Sequence, residues 1–111
     1  MIRERVVKAL LALAQRLGSI QDGTEWYLFG SVDRDEFAAS DIDLLILCTT
    51  DQQADALRRE IDPDDLPLPL DLGLMTFGEA SQVDAVHTQG ARLIHPRPSR
   101  RASPNSPLSM T

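Results

Sequence analysis

The chain has 111 residues, 42% of them hydrophobic, and a formal charge of −6 from 17 acidic and 11 basic groups. That size allows one small domain with a real but modest core, and leaves little room for a second. Residues 1–91 carry all 17 acids against 7 basic groups, which argues against a general nucleic-acid binder, because nucleic-acid phosphates need neutralising cations.

Cys48 is the single cysteine, so no internal disulfide forms. It ends an apolar run, where a buried, inert thiol is expected. No apolar stretch approaches the roughly 20 residues of a membrane-spanning helix. The apolar residues 9–14 follow Arg3, Glu4, Arg5 and Lys8 in a helical pattern, with no small-residue cleavage site after them, so no signal peptide is read. A cytoplasmic protein is expected.

Ile2, Val6, Leu10, Leu13 and Leu17 recur at spacings of four, four, three and four, the apolar stripe of an amphipathic helix. Gly18 is a plausible stop. Residues 19–24 read as a loop, and the run Glu25 to Phe29 as a strand that Gly30-Ser31 breaks. Residues 32–40 are polar, with room for a short helical turn. Ile42 to Cys48 is a nearly continuous apolar run suited to a central strand covered on both faces. Residues 51–60 read as a helix with Thr50 or Asp51 as N-cap. Residues 62–67 hold two prolines and three aspartates and read as a loop.

Leu68 to Met75 is a third strand candidate. Thr76-Phe77-Gly78-Glu79 fits a capping box, so a helix is expected from there to about His87. Gln89-Gly90 makes a turn, and Ala91 to His95 a last short strand. The domain is therefore placed at 1–95. Residues 96–111 are Pro, Ser and Arg with few apolar groups, and are expected to be a disordered tail. Arg92, Arg97, Arg100 and Arg101 make the stretch from 92 onward basic. The order of elements predicts an α/β (α+β) fold, a small mixed sheet with helices packed against it.

The aspartates are the informative anomaly. Asp41 and Asp43 enter the most apolar strand. Side chains two apart on a strand share a face, with Cα atoms about 6.5–7 Å apart at a rise of ~3.3 Å per residue. Like charges there repel, and each costs several kcal/mol, in rough terms, if desolvated without partners. Asp71 sits in Leu68-Pro69-Leu70-Asp71-Leu72-Gly73-Leu74-Met75, which has no other charge. If that strand pairs beside the first, Asp71 lies ~4.8 Å away. A divalent cation is the simplest compensation, and hard carboxylate oxygens suit Mg²⁺ or Mn²⁺. Gly30-Ser31 directly after a strand lets backbone approach a ligand closely, and a helical turn beginning there suits phosphate.

Leu28-Phe29-Gly30-Ser31, nine intervening residues ending in Ser40, and then Asp41-Ile42-Asp43-Leu44-Leu45-Ile46 closely resemble the signature of the DNA polymerase β-like nucleotidyltransferase superfamily. Arg34 falls where many members carry arginine, Ser40 where a serine is common, and Asp71 where a third carboxylate is expected. Gly90-Ala91-Arg92-Leu93-Ile94 looks like the closing segment of the minimal, antitoxin-like (MNT-type) members.

The loop departs from the pattern in three ways: Arg34 is followed by Asp35 rather than glycine, the loop is one residue short, and Asp33, Asp35 and Glu36 make it acidic, which works against a triphosphate. The resemblance implies a metal-dependent transferase. Asp41 and Asp43 would bridge two Mg²⁺ or Mn²⁺ ions and Asp71 would hold the one near the attacking group. Gly30 and Ser31, with Arg34 and Ser40 beside them, would bind an NTP, expected to be ATP.

It further implies transfer of AMP to an acceptor hydroxyl, with a HEPN-type toxin as partner in a homo- or hetero-oligomer. The alternatives are a catalytically silent antitoxin module and a small-molecule, aminoglycoside-type transferase, which would normally need a further helical domain. Trp26 and Tyr27 are expected to anchor the core and sheet rim, His87 to lie on the surface, and His95 to be extended and exposed.

Overall fold

The computed structural model describes residues 2–96. The expected tail lies outside the described residues from 97 onward. Helix α1 (Ile2–Leu17) buries Val6, Leu10 and Leu13 of the stripe read from the sequence, together with Ala14. Its end is set by Gly18 at φ +60°, a conformation glycine adopts without a Cβ penalty. A 3₁₀ turn (Gly18–Gln21) occupies part of the expected loop.

Strand β1 (Glu25–Phe29), a helical turn α2 (Gly30–Asp33), strand β2 (Ile42–Cys48), helix α3 (Asp51–Glu60), a second 3₁₀ turn (Pro63–Asp65), strand β3 (Leu70–Thr76), helices α4 (Phe77–Val83) and α5 (Ala85–Gln89), and strand β4 (Arg92–His95) complete the described residues. The four strands form one mixed sheet in the order β3-β2-β1-β4. β1 is antiparallel to β2 and β4, and β2 is parallel to β3. The mixed sheet with helices against it is the fold class expected.

Thr50 caps α3, its Oγ accepting from the Gln53 amide at 3.1 Å. The Thr76–Glu79 capping box is present in both directions. Two boundaries differ from expectation. β3 starts at Leu70, not Leu68, because Pro67 and Pro69 cannot donate to a ladder, and the Pro69 carbonyl instead accepts from the Ile42 amide at 2.8 Å. The helix expected over 76–87 breaks at Asp84, which turns left-handed at φ +50° and starts α5.

Alternation along β2 divides the core. Ile42, Leu44, Ile46 and Cys48 join Val6, Leu10, Trp26, Leu28 and Leu57 in the main cluster beneath α1 and α3. Each such side chain contributes about 1.5–3 kcal/mol on full burial. Leu45 and Leu47 face the other way, under Ala80 of α4 and Ala85 of α5. Trp26 is fully buried and donates from Nε1 to Thr24 Oγ at 3.0 Å. His95 is not exposed as expected. It packs edge-on against Trp26 at 5.7 Å and places Nε2 2.9 Å from Gln21 Oε1, and burial pushes its imidazole pKa down. Cys48 is buried. No helix among the described residues is long and apolar enough to cross a membrane.

Candidate active site

Asp43 is the second residue of β2, so it shares a face with Leu45 and Leu47. α4 and α5 pack further along that face, on Leu45 and Leu47. In the parallel register Asp43 stands directly opposite Asp71, and on its other side it is paired with Phe29 of β1. Two carboxylates thus meet across one ladder step, a spacing of ~4.8 Å between strands. Asp41 is exposed, one residue before β2 begins.

The electrostatics follow from that geometry. The Asp43 carboxyl is raised above its ordinary value of 3.8, first by burial, then by the charges of Asp71 and Asp41 and a hydrogen bond with Asp71, with Arg34 acting the other way. Among the described residues, no basic side chain forms an ion pair with Asp41, Asp43 or Asp71. Hard, uncompensated oxygens of this kind fit a divalent cation. The described residues nonetheless contain no group of three His, Cys, Asp or Glu side chains gathered tightly enough to be a ready-made cage. Asp43 and Asp71 face one another across the register, and Asp41, exposed and one residue before β2, lies near enough for its charge to act on Asp43.

Gly30 follows β1 at φ +76°. A Cβ built on it would overlap Oδ2 of Asp43, so the backbone of the turn lies directly against the carboxylate, and only glycine permits both the dihedral and the approach. The turn is held internally by Arg34 N–H to the Gly30 carbonyl at 3.1 Å, Asp35 N–H to Val32 at 2.9 Å and Glu36 N–H to Ser31 at 3.0 Å. Val32, fully buried, anchors it in the main core.

Of the residues named from sequence, the structure brings Gly30, Asp43 and Asp71 together. Arg34 is near enough to act on Asp43, but its side chain is exposed and ion-paired with Glu36. Ser31 is half-buried and Ser40 exposed.

The acidic loop reads differently in three dimensions. Asp33 does not face a triphosphate. It is 4% exposed and turned inward, where Arg3 Nε donates to Oδ1 at 3.1 Å and Arg92 Nε to Oδ2 at 2.8 Å. Arg92 also donates from Nη2 to the Asp33 carbonyl at 2.8 Å. Asp35 takes a left-handed φ of +57°, the conformation that glycine adopts freely at this step of the pattern and that aspartate tolerates better than most residues. Its Oδ1 accepts the Arg3 amide at 3.0 Å.

Sequence reading missed Arg3, Asp33 and Arg92 as a unit. The partners lie 30 and 59 residues from Asp33, a separation that no periodicity reports. The only sequence hint was an acid directly after an apolar residue, Val32.

Compared with known families, residues 7–91 match the model of the nucleotidyltransferase domain. No curated protein and no solved structure matches the chain.

Proposed function

This chain belongs to the nucleotidyltransferase domain family of the DNA polymerase β-like superfamily, and on that premise we propose that it is a Mg²⁺- or Mn²⁺-dependent enzyme that transfers AMP from ATP to a hydroxyl of a partner protein, in the manner of an antitoxin acting on a HEPN-type toxin. The observation that carries the reading is the meeting of Gly30, Asp43 and Asp71 at the edge of an otherwise apolar strand pair. Three roles follow. Asp43 and Asp71, with Asp41 completing the set, would hold the cation, which when bound supplies charge to the phosphates and to the entering and leaving oxygens. The Gly30–Ser31 backbone, with Arg34 and Ser40 beside it, would receive the phosphates of the nucleotide.

In the reaction the acceptor oxygen bonds to the α-phosphorus, the bond from that phosphorus to the bridging oxygen breaks, and pyrophosphate leaves with the electron pair. Asp71 would take the proton of the attacking hydroxyl. The chain contributes position and charge rather than covalent chemistry.

A second reading, a catalytically silent partner module, is favoured by one observation: among the described residues the carboxylates do not close into a three-ligand cage. Calorimetric titration of Mg²⁺-ATP into wild type and Asp43→Asn separates the two, with other NTPs and Mn²⁺ as further titrants. The proposal expects metal-dependent binding that disappears in the variant. A folded wild type that binds no NTP with either ion would reject it and leave the silent module.

A further inference from the structure

Asp33 is the one charged residue of the described chain that is almost wholly buried. Its position is informative: it ends the turn whose first residue, Gly30, lies against the Asp43 carboxylate. The two oxygens of Asp33 are taken by arginines from opposite ends of the domain, Arg3 of the first turn of α1 and Arg92 of the edge strand β4. The backbone is held as well, through Arg92 to the Asp33 carbonyl, and the Asp35 carboxylate accepts the Arg3 amide. Four hydrogen bonds from two residues thus grip Asp33 and Asp35 at the end of the four-residue turn.

We propose that Arg92 and Arg3 are positioning residues that act through Asp33, holding the Gly30–Asp33 turn against Asp43 so that this carboxylate is presented in one orientation to a metal–nucleotide. The inference rests on the function proposed above. The chemistry supports a positioning role over a purely stabilising one. Arg92 is 60% exposed at its side chain, so little folding energy is expected from its charge. Its fork, however, reaches two atoms of Asp33 at once, which fixes the orientation of the turn as well as its distance. A lysine would keep the charge and lose the fork. Positioning of this kind matters because a misplacement of about 1 Å in a site that works by orientation is worth about a hundredfold in rate.

The test uses the full chain as wild type, Arg92→Ala, Arg92→Lys, Asp33→Ala and the double variant Arg92→Ala/Asp33→Ala. In the metal-free protein, amide hydrogen exchange should speed up about tenfold or more at residues 34–36 in Arg92→Ala, while amides of Leu44–Leu47 keep their protection. Unchanged exchange at 34–36 overturns the positioning role, and so does equal loss of protection along β2, which would mark Arg92 as a general stabiliser.

In calorimetry, Mg²⁺-ATP affinity should fall about tenfold in Arg92→Ala and in Asp33→Ala, and no further in the double variant, because both act through one contact. Additive losses would mean that Arg92 meets the nucleotide itself, and wild-type affinity in Arg92→Ala would leave it no part in the site. Arg92→Lys should behave as Arg92→Ala does in both measurements, and it carries the test if the alanine variant does not fold. If the wild type binds no nucleotide, the functional reading fails, and hydrogen exchange still decides the clasp.

Discussion

Two groups of carboxylates lie within one small sheet and are treated in opposite ways. Asp33 is taken out of water and fully matched, with an arginine on each oxygen. Asp43 and Asp71 are set side by side at the start of β2 and β3 with no basic partner among the described residues, and burial, followed by repulsion from Asp71 and Asp41, holds Asp43 above its ordinary pKa. The same chemical group therefore serves two ends. At Asp33 the fold uses charge to secure a turn. At Asp43 it accepts an unfavourable pair at the point where the turn's glycine comes closest. Stability alone would favour the first arrangement everywhere, and the second is the kind of unfavourable pairing that clusters at functional sites.

The comparison can be broken by substitutions of equal size at each group. Asp33→Asn should have the largest effect on stability. It removes a buried charge from two guanidinium partners, and because those arginines are partly solvated the loss stays below that of a fully buried pair, at about 2 kcal/mol. That corresponds to a fall in melting temperature of about 10 °C for a domain of this size. An unchanged melting curve would mean that the clasp carries no folding energy.

Asp43→Asn should act with the opposite sign. The raised pKa means that the folded protein penalises the ionised form. That penalty is fully present above the folded-state pKa and fades as the pH falls toward the unfolded value of 3.8. The metal-free variant should therefore melt a few degrees above wild type at neutral pH, and the gap should close on acidification between the raised value and 3.8. A variant that melts below wild type at neutral pH would show that Asp43 is already compensated.

The smallest effect is expected at Asp65→Asn, which breaks the pair with Arg16 at 3.2 Å. Both side chains are about half exposed, at 49% and 56%, so a change under about 0.5 kcal/mol in urea unfolding is expected. A larger change would mean that charge at the surface of this domain matters more than burial, and the contrast between Asp33 and Asp43 would lose its footing.

Much of this arrangement was legible before the fold was known. The apolar stripe of α1, the strand at Ile42–Cys48 and the Thr76–Glu79 box follow from local periodicity and capping chemistry, which a short window of sequence contains. The oddity of Asp41, Asp43 and Asp71 was equally local, since a carboxylate among leucines stands out wherever the strand lies.

The break at Asp84 was not legible. A left-handed residue after Val83 is decided by how α4 and α5 seat Ala80 and Ala85 on Leu45 and Leu47. His95 read as extended and exposed because it precedes Pro96, yet the register that sets it on Trp26 is a property of the β1–β4 pairing.

By itself, then, the sequence determined most of the helices and strands, the apolar character of β2 on both faces with carboxylates at its start, and the family to which the chain belongs. The tertiary structure alone decided which carboxylates are matched and which are left facing one another. The parallel register puts Asp71 opposite Asp43, and the packing of α1 and β4 around the turn gives Asp33 its two arginines. The physical reason is range. Periodicity and capping act over a few residues, whereas the charge on a carboxylate is settled by what lies within a few ångströms in space, brought there from 28 to 59 positions away along the chain.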